Sequence, residues 1–168
     1  MDIVYSTGFE KKYEKDFLDI YENAFDKEEL VPSDALLEEI YSGQGELLLA
    51  LQSDKLIGFI ISEVAPKQNI VLIAYLAVAK NCRGQGIAAA LLTKHLQLLS
   101  NRYSNCAVVL EAKDHLLPFY DRFDFKLITK DHKIKSPIFG HYLHYNLLGY
   151  KTDKKDLAQL VIEAFYEE

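Results

Sequence analysis

The order of apolar and polar positions divides the chain into short strands and longer amphipathic helices. Ile3 to Tyr5 reads as a strand, and Tyr13, Phe17, Ile20, Tyr21, Ala24 and Phe25 recur at the spacing of one helical face. Pro32-Ser33 announces a second helix, with Ser33 as its cap, Leu36, Leu37, Ile40 and Tyr41 as its stripe, and Gly43 and Gly45 as its stop. Glu46 to Gln52 and Lys55 to Ala65 are apolar, partly β-branched and separated by Ser53-Asp54, the pattern of an antiparallel hairpin. Ile70 to Val78 is a continuous apolar run, which predicts a central strand covered on both faces.

Further on, a helix from Gly86 to Leu99 sets Leu91, Leu92, Leu96 and Leu99 on one side, and Ala107 to Glu111 supplies the next strand. Together they make one right-handed βαβ unit. Leu116 to Phe123 reads as a short helix, Phe125 to Ile128 as a strand, Thr129 to Phe139 as an unassigned loop shaping a substrate pocket, and His141 to Leu148 as a last strand. Leu157, Leu160, Val161, Ala164 and Phe165 are spaced i, i+3, i+4, i+7, i+8, marking an amphipathic helix that begins near Thr152. A free stripe of that size is a sticky patch, so the helix is expected to dock on this domain or on a second subunit. The fold class is α/β with a mixed sheet.

At 168 residues, 49% of them hydrophobic, the chain suits one domain with a real core. Its net charge of −6 offers no general attraction to nucleic acid or anionic membranes and suits an amine-bearing substrate better. Cys82 and Cys106 are too few for a disulfide framework or a zinc site and read as reduced thiols; Cys82 is read as a small residue filling space. His115, His132, His141 and His144 are scattered without metal-ligand spacing and read as structural or exposed. Met1-Asp2-Ile3-Val4 lacks the features of a signal peptide and no apolar run reaches membrane-spanning length, so a cytoplasmic protein is expected.

The most specific chemistry lies between the central strand and the helix after it. Arg83-Gly84-Gln85-Gly86-Ile87-Ala88 joins them, and backbone N–H groups at a helix start have no intrahelical partner, so they can hold phosphate oxygens. Gly84 and Gly86 permit a tight turn and close approach, Ala88, Ala89 and Ala90 keep the first turn thin, and Arg83 adds a forked cation. The expected ligand is a pyrophosphate. A nucleoside triphosphate loop would close on Lys-Ser/Thr, where this chain has Ile87-Ala88. A dinucleotide fingerprint fits Gly84, Gly86 and Ala89, with Glu111 about 25 positions beyond, but Ala79 to Arg83 intervene between strand and glycine.

The same segment matches the R/Q-x-x-G-x-G/A loop of the GNAT family of N-acetyltransferases, Leu76-Ala77-Val78 resembles the family's strand end before it, and Phe119-Tyr120-Asp121-Arg122-Phe123-Asp124-Phe125 is similar to its F-Y-x-x-x-G-F segment. Asp124 replaces the usual glycine, Lys113 stands where many members have asparagine, and Ala74 where many carry a glutamate. The resemblance covers residues 1 to 148, leaving 149 to 168 as a helical extension. It implies a GNAT-like, mainly antiparallel sheet flanked by helices, and an acetyl-CoA-dependent N-acetyltransferase acting on a primary amine of a small molecule or peptide. The alternative is a non-catalytic acyl-CoA-binding module. Acetyl-CoA would lie along Leu76, Ala77, Val78, Arg83, Gly84, Gln85, Gly86, Ile87 and Ala88, with Tyr120 as general acid. For the base, Glu111, Glu63 and water all stand open, with Glu111 first. A homodimer is expected from family habit.

Overall fold

The computed structural model describes residues 2–167. Among them, seven strands form one sheet: β1 (Ile3–Ser6), β2 (Glu46–Gln52), β3 (Lys55–Ala65), β4 (Ile70–Val78), β5 (Ala107–Ala112), β6 (Phe125–Lys135) and β7 (Tyr142–Tyr150). Their spatial order is β1-β2-β3-β4-β5-β7-β6, parallel between β4 and β5 and antiparallel elsewhere. The helices are α1 (Glu14–Ala24), α2 (Ser33–Ser42), α3 (Ile87–Arg102), α4 (Leu117–Asp121) and α5 (Leu157–Phe165). This is the mixed, mainly antiparallel α/β architecture expected from the sequence.

Side chains that alternate along the strands serve two opposite layers. Phe17, Tyr21 and Leu36 of α1 and α2 pack on Leu49, Leu51, Phe59 and Ile61. The other face receives Leu91, Leu92 and Leu96 of α3 and Tyr120 of α4 against Ile60, Val71, Ile73 and Leu110. Ile70, Leu72 and Val109 alternate with that second set and carry Leu157 and Val161 of α5. So α5 shares a face with α1 and α2 and covers the far half of it. The stripe read from the sequence is packed on the chain's own sheet.

Two irregularities open the middle of the sheet. Ile61 pairs with Tyr75 but Ser62 with Ile73, leaving Ala74 as the extra residue of a β-bulge. The β4–β5 ladder runs from the Ile70–Ala107 pair to the Ile73–Leu110 pair and goes no further, although β4 continues to Val78 and β5 to Ala112. Beyond Ile73 the two strands splay. Ala74, Tyr75 and Leu76 are consequently only partly buried, so the central strand is not covered on both faces along its full length.

Several local expectations change. Ser33 begins α2 without capping it; its hydroxyl bonds Glu22 instead, while Gly43 ends the helix at φ 71°. Residues 129–135, read as loop, continue β6 against β7, and the true connection is the short segment 136–141. Their polar run hides a strand because β6 is an edge with one wet face and two register shifts. The segment read as one helix from Leu116 to Phe123 is a 3-10 turn at Asp114–Leu116 followed by α4. At the C-terminal end, α5 starts at Leu157 rather than near Thr152.

Candidate active site

The splay between β4 and β5 is the floor of a cavity of about 1200 Å³ that runs from the loop before α3, past α4, to the tip of α5. At one end Gly84 and Gly86 take φ of 81° and 77°. A Cβ at either would meet no atom within 4 Å, so backbone conformation, not crowding, is what asks for glycine there. Ile87 is anchored in the core while Arg83 to Gly86 stay exposed, which leaves the first N–H groups of α3 facing open space. The Arg83 Nε donates to the Val78 carbonyl at 3.4 Å. Arg83, Gly84, Gly86, Ile87 and Ala88 line the cavity with Leu76, Ala77 and Val78, whereas Gln85 is exposed and does not.

Tyr120 stands on the cavity wall at 9% exposure, edge-on to Phe119 and Phe125 with centroids 5.1 and 5.7 Å away. Burial pushes its phenol up to about 12, so it stays protonated at neutral pH. The packing role and the cavity position coexist in this one side chain.

Glu111 lies where the splay begins. One carboxylate oxygen meets His132 Nε2 at 2.7 Å, and the Tyr166 hydroxyl donates to both oxygens at 2.6 and 2.8 Å. Glu63, opposite Leu72 on β3, faces the same cavity. Desolvation, aided by hydrogen bonding and repulsion from Glu39 and by the charge of Glu111, pushes its carboxyl up to about 7. Strand register separates the two acids. Glu111 follows the Ile73–Leu110 pair and stands at the mouth of the splay, whereas Glu63 pairs with Leu72, before the ladder ends.

Residues 26–29, between α1 and α2, form a strap along one side of the cavity. Lys113 Nζ reaches Asp26 at 2.6 Å and Glu29 at 3.5 Å, holding the Asp26 carboxyl below its usual range. Tyr145 donates to Glu29, Ser136 to the Glu28 carbonyl at 2.8 Å, and His141 pairs with Glu28 at 3.0 Å. Lys113 is thus turned to the strap. Of the five histidines, His115, His141 and His144 are exposed, His95 is buried against the Ser62 hydroxyl, and His132 is 2% exposed against Glu111. Sequence reading took His132 as structural or exposed and passed over Tyr166 and the strap, because each depends on partners over 20 residues away. The buried, reduced Cys82 fills core space beside the loop.

A family model described as an acetyltransferase (GNAT) domain matches residues 10–138. Among curated proteins nothing matches this chain. Solved structures share its fold. A GNAT-family protein from Bacteroides thetaiotaomicron has a TM-score of 0.77 at 18% identity, with 99% of this chain and 98% of that one covered. NAA60 from Arabidopsis thaliana, in complex with acetyl-CoA, has 0.72 at 20%, with 89% and 98% covered. The PaiA N-acetyltransferase of Thermoplasma acidophilum, in complex with coenzyme A, has 0.67 at 17%, with 90% and 100% covered. With three quarters of its length matched by that model and its seven-stranded sheet splayed at β4 and β5, this chain belongs to the GNAT family of acetyltransferases.

Proposed function

We propose that this chain transfers an acetyl group from acetyl-CoA directly to a primary amine of a small molecule or peptide. The observation that carries the reading is the continuity of one cavity from the glycine loop, along the unpaired edges of β4 and β5, to Tyr120 and Glu111. The cradle fits the coenzyme. Gly84 to Ala88 offer backbone donors and Arg83 a cation for the pyrophosphate, and the unpaired edge of β4 at Leu76 to Val78 can pair with the pantetheine amides. Bound there, acetyl-CoA supplies the activated acyl group.

The chain's own groups do the rest. Glu111 accepts the proton of the incoming ammonium and so frees the nitrogen lone pair. A backbone N–H near Leu76 polarises the carbonyl as the C–N bond forms and the C–S bond breaks. Tyr120, held protonated by burial, gives its proton to the departing sulfur, and the second proton shed by the nitrogen as the amide forms passes through water to restore the phenol. Glu111 is preferred over Glu63 because it stands at the mouth of the splay, whereas Glu63 pairs with Leu72 before the ladder ends. Calorimetric titration with acetyl-CoA, followed by thiol release over a panel of amines, tests the reading. Binding with thiol release supports it; binding with no release from any amine leaves a coenzyme-binding module instead. Glu111→Gln should remove the acid limb of the kcat/KM profile and Glu63→Gln should leave it, and the reverse pattern would make Glu63 the base.

A further inference from the structure

The family match ends at residue 138, yet the end of α5 delivers a side chain to the cavity. Leu157 and Val161 fix the helix on Ile70, Leu72, Val109, Ile128 and Leu147. Its last turn closes with the N–H groups of Tyr166 and Glu167 both donating to the Ile162 carbonyl at 3.0 Å. That closure turns Tyr166 inward. Its hydroxyl bridges both oxygens of Glu111, and its ring stands 6.3 Å from that of His132 at 68°. Three elements, β5, β6 and α5, therefore converge on one carboxylate, and only β5 carries it.

Resting on the proposed function, we infer that Tyr166 is a positioning residue for the base: with His132 it holds the Glu111 carboxylate oriented and facing the acceptor. Without these donors the carboxylate is free to turn about its side-chain torsions. It is largely withdrawn from water and shares its face with Glu63, itself paired to Glu39. The other titratable groups around it are Tyr75 from β4, Tyr145 from β7 and His132 from β6, and each tyrosine is pushed upward by burial and neighbouring carboxylates. Tyr166 thus remains a neutral donor over the working range, and a hydrogen bond to a carboxylate is short and directional. A packing-only role for the ring would survive loss of the hydroxyl.

Tyr166→Phe keeps the ring and removes the donor. Its kcat for the best amine should fall about tenfold, as loss of one hydrogen bond to a charged group implies. The KM for acetyl-CoA should stay at the parental value, and the melting temperature should drop by only a few degrees, the stability such a bond contributes. In a Glu111→Gln background the same substitution should lower kcat no further, since the partner is gone. Equal kcat for parent and Tyr166→Phe would overturn this inference alone. A fall that persists in Glu111→Gln would also overturn it, because the effect would then run through another group. A parental protein that acetylates no amine would overturn the proposed function, and this inference with it.

Discussion

Tyr120 joins an aromatic cluster and the cavity wall at once, and a single oxygen separates the two roles. Tyr120→Phe preserves the contacts with Phe119 and Phe125, so acetyl-CoA affinity and melting temperature should hold. A thiolate is already a tolerable leaving group, and kcat should therefore fall only by about 10- to 100-fold, at or below the low end for general acids. An unchanged kcat across pH would return Tyr120 to packing alone. Glu63 makes a different, thermodynamic prediction. Its folded-state carboxyl titrates near 7 against 4.5 unperturbed, so it favours folding below about pH 4.5 and loses that contribution as pH rises through 7. Glu63→Gln cannot ionise and still can bond Glu39. It should melt a few degrees above the parent at pH 8 and level with it near pH 4, by calorimetry at both pH values.

At the scale of elements, the site is made by what the strands do not pair. Periodicity located β2 to β5, α1 and α3 because their buried faces are unbroken, and the glycine spacing located the anion loop. The bulge at Ala74 and the end of the β4–β5 ladder were not legible, since both are properties of register between strands and leave no mark on one strand's composition. β6 was truncated for a related reason: Thr129, Lys130, Asp131 and Lys133 belong to an edge where polar residues are the rule. The stripe of α5 was legible, but its delivery of Tyr166 to Glu111 was not, the two being 55 residues apart. Two substitutions test these elements. Gly86→Val places a β-branched residue at φ 77° where α3 begins, and should abolish measurable acetyl-CoA binding while the fold persists. A stable Gly86→Val protein with parental affinity would remove the loop from the site. Val161, on the inner face of α5, is fully buried, so Val161→Ser should cost about 2–3 kcal/mol in urea unfolding, from the lost apolar contact and the buried hydroxyl.

For the whole molecule, charge is distributed unevenly along the cavity. Twenty-five acidic residues against nineteen Lys and Arg give a net −6, yet around the glycine loop and α4 the lining carries Arg83 and Arg122. The rest of it carries Asp26, Glu29, Glu63, Glu111 and Glu167 against Lys113 and Lys135, and Lys113 is already committed to Asp26 and Glu29. A cavity with low-dielectric walls focuses such a field, drawing a cationic amine toward its acidic part. The attraction is long-range and must weaken as the Debye length shrinks from about 10 Å at 0.1 M salt to about 3 Å at 1 M. The kcat/KM for a singly charged primary amine should accordingly fall several-fold over that range. An amine of similar size with a carboxylate of its own, and hence no net charge, should show a much flatter dependence. Measuring both acceptors at saturating acetyl-CoA keeps the pyrophosphate loop out of the comparison. Parallel curves for the two would mean that the acidic part contributes shape and hydrogen bonds to the acceptor, and no steering.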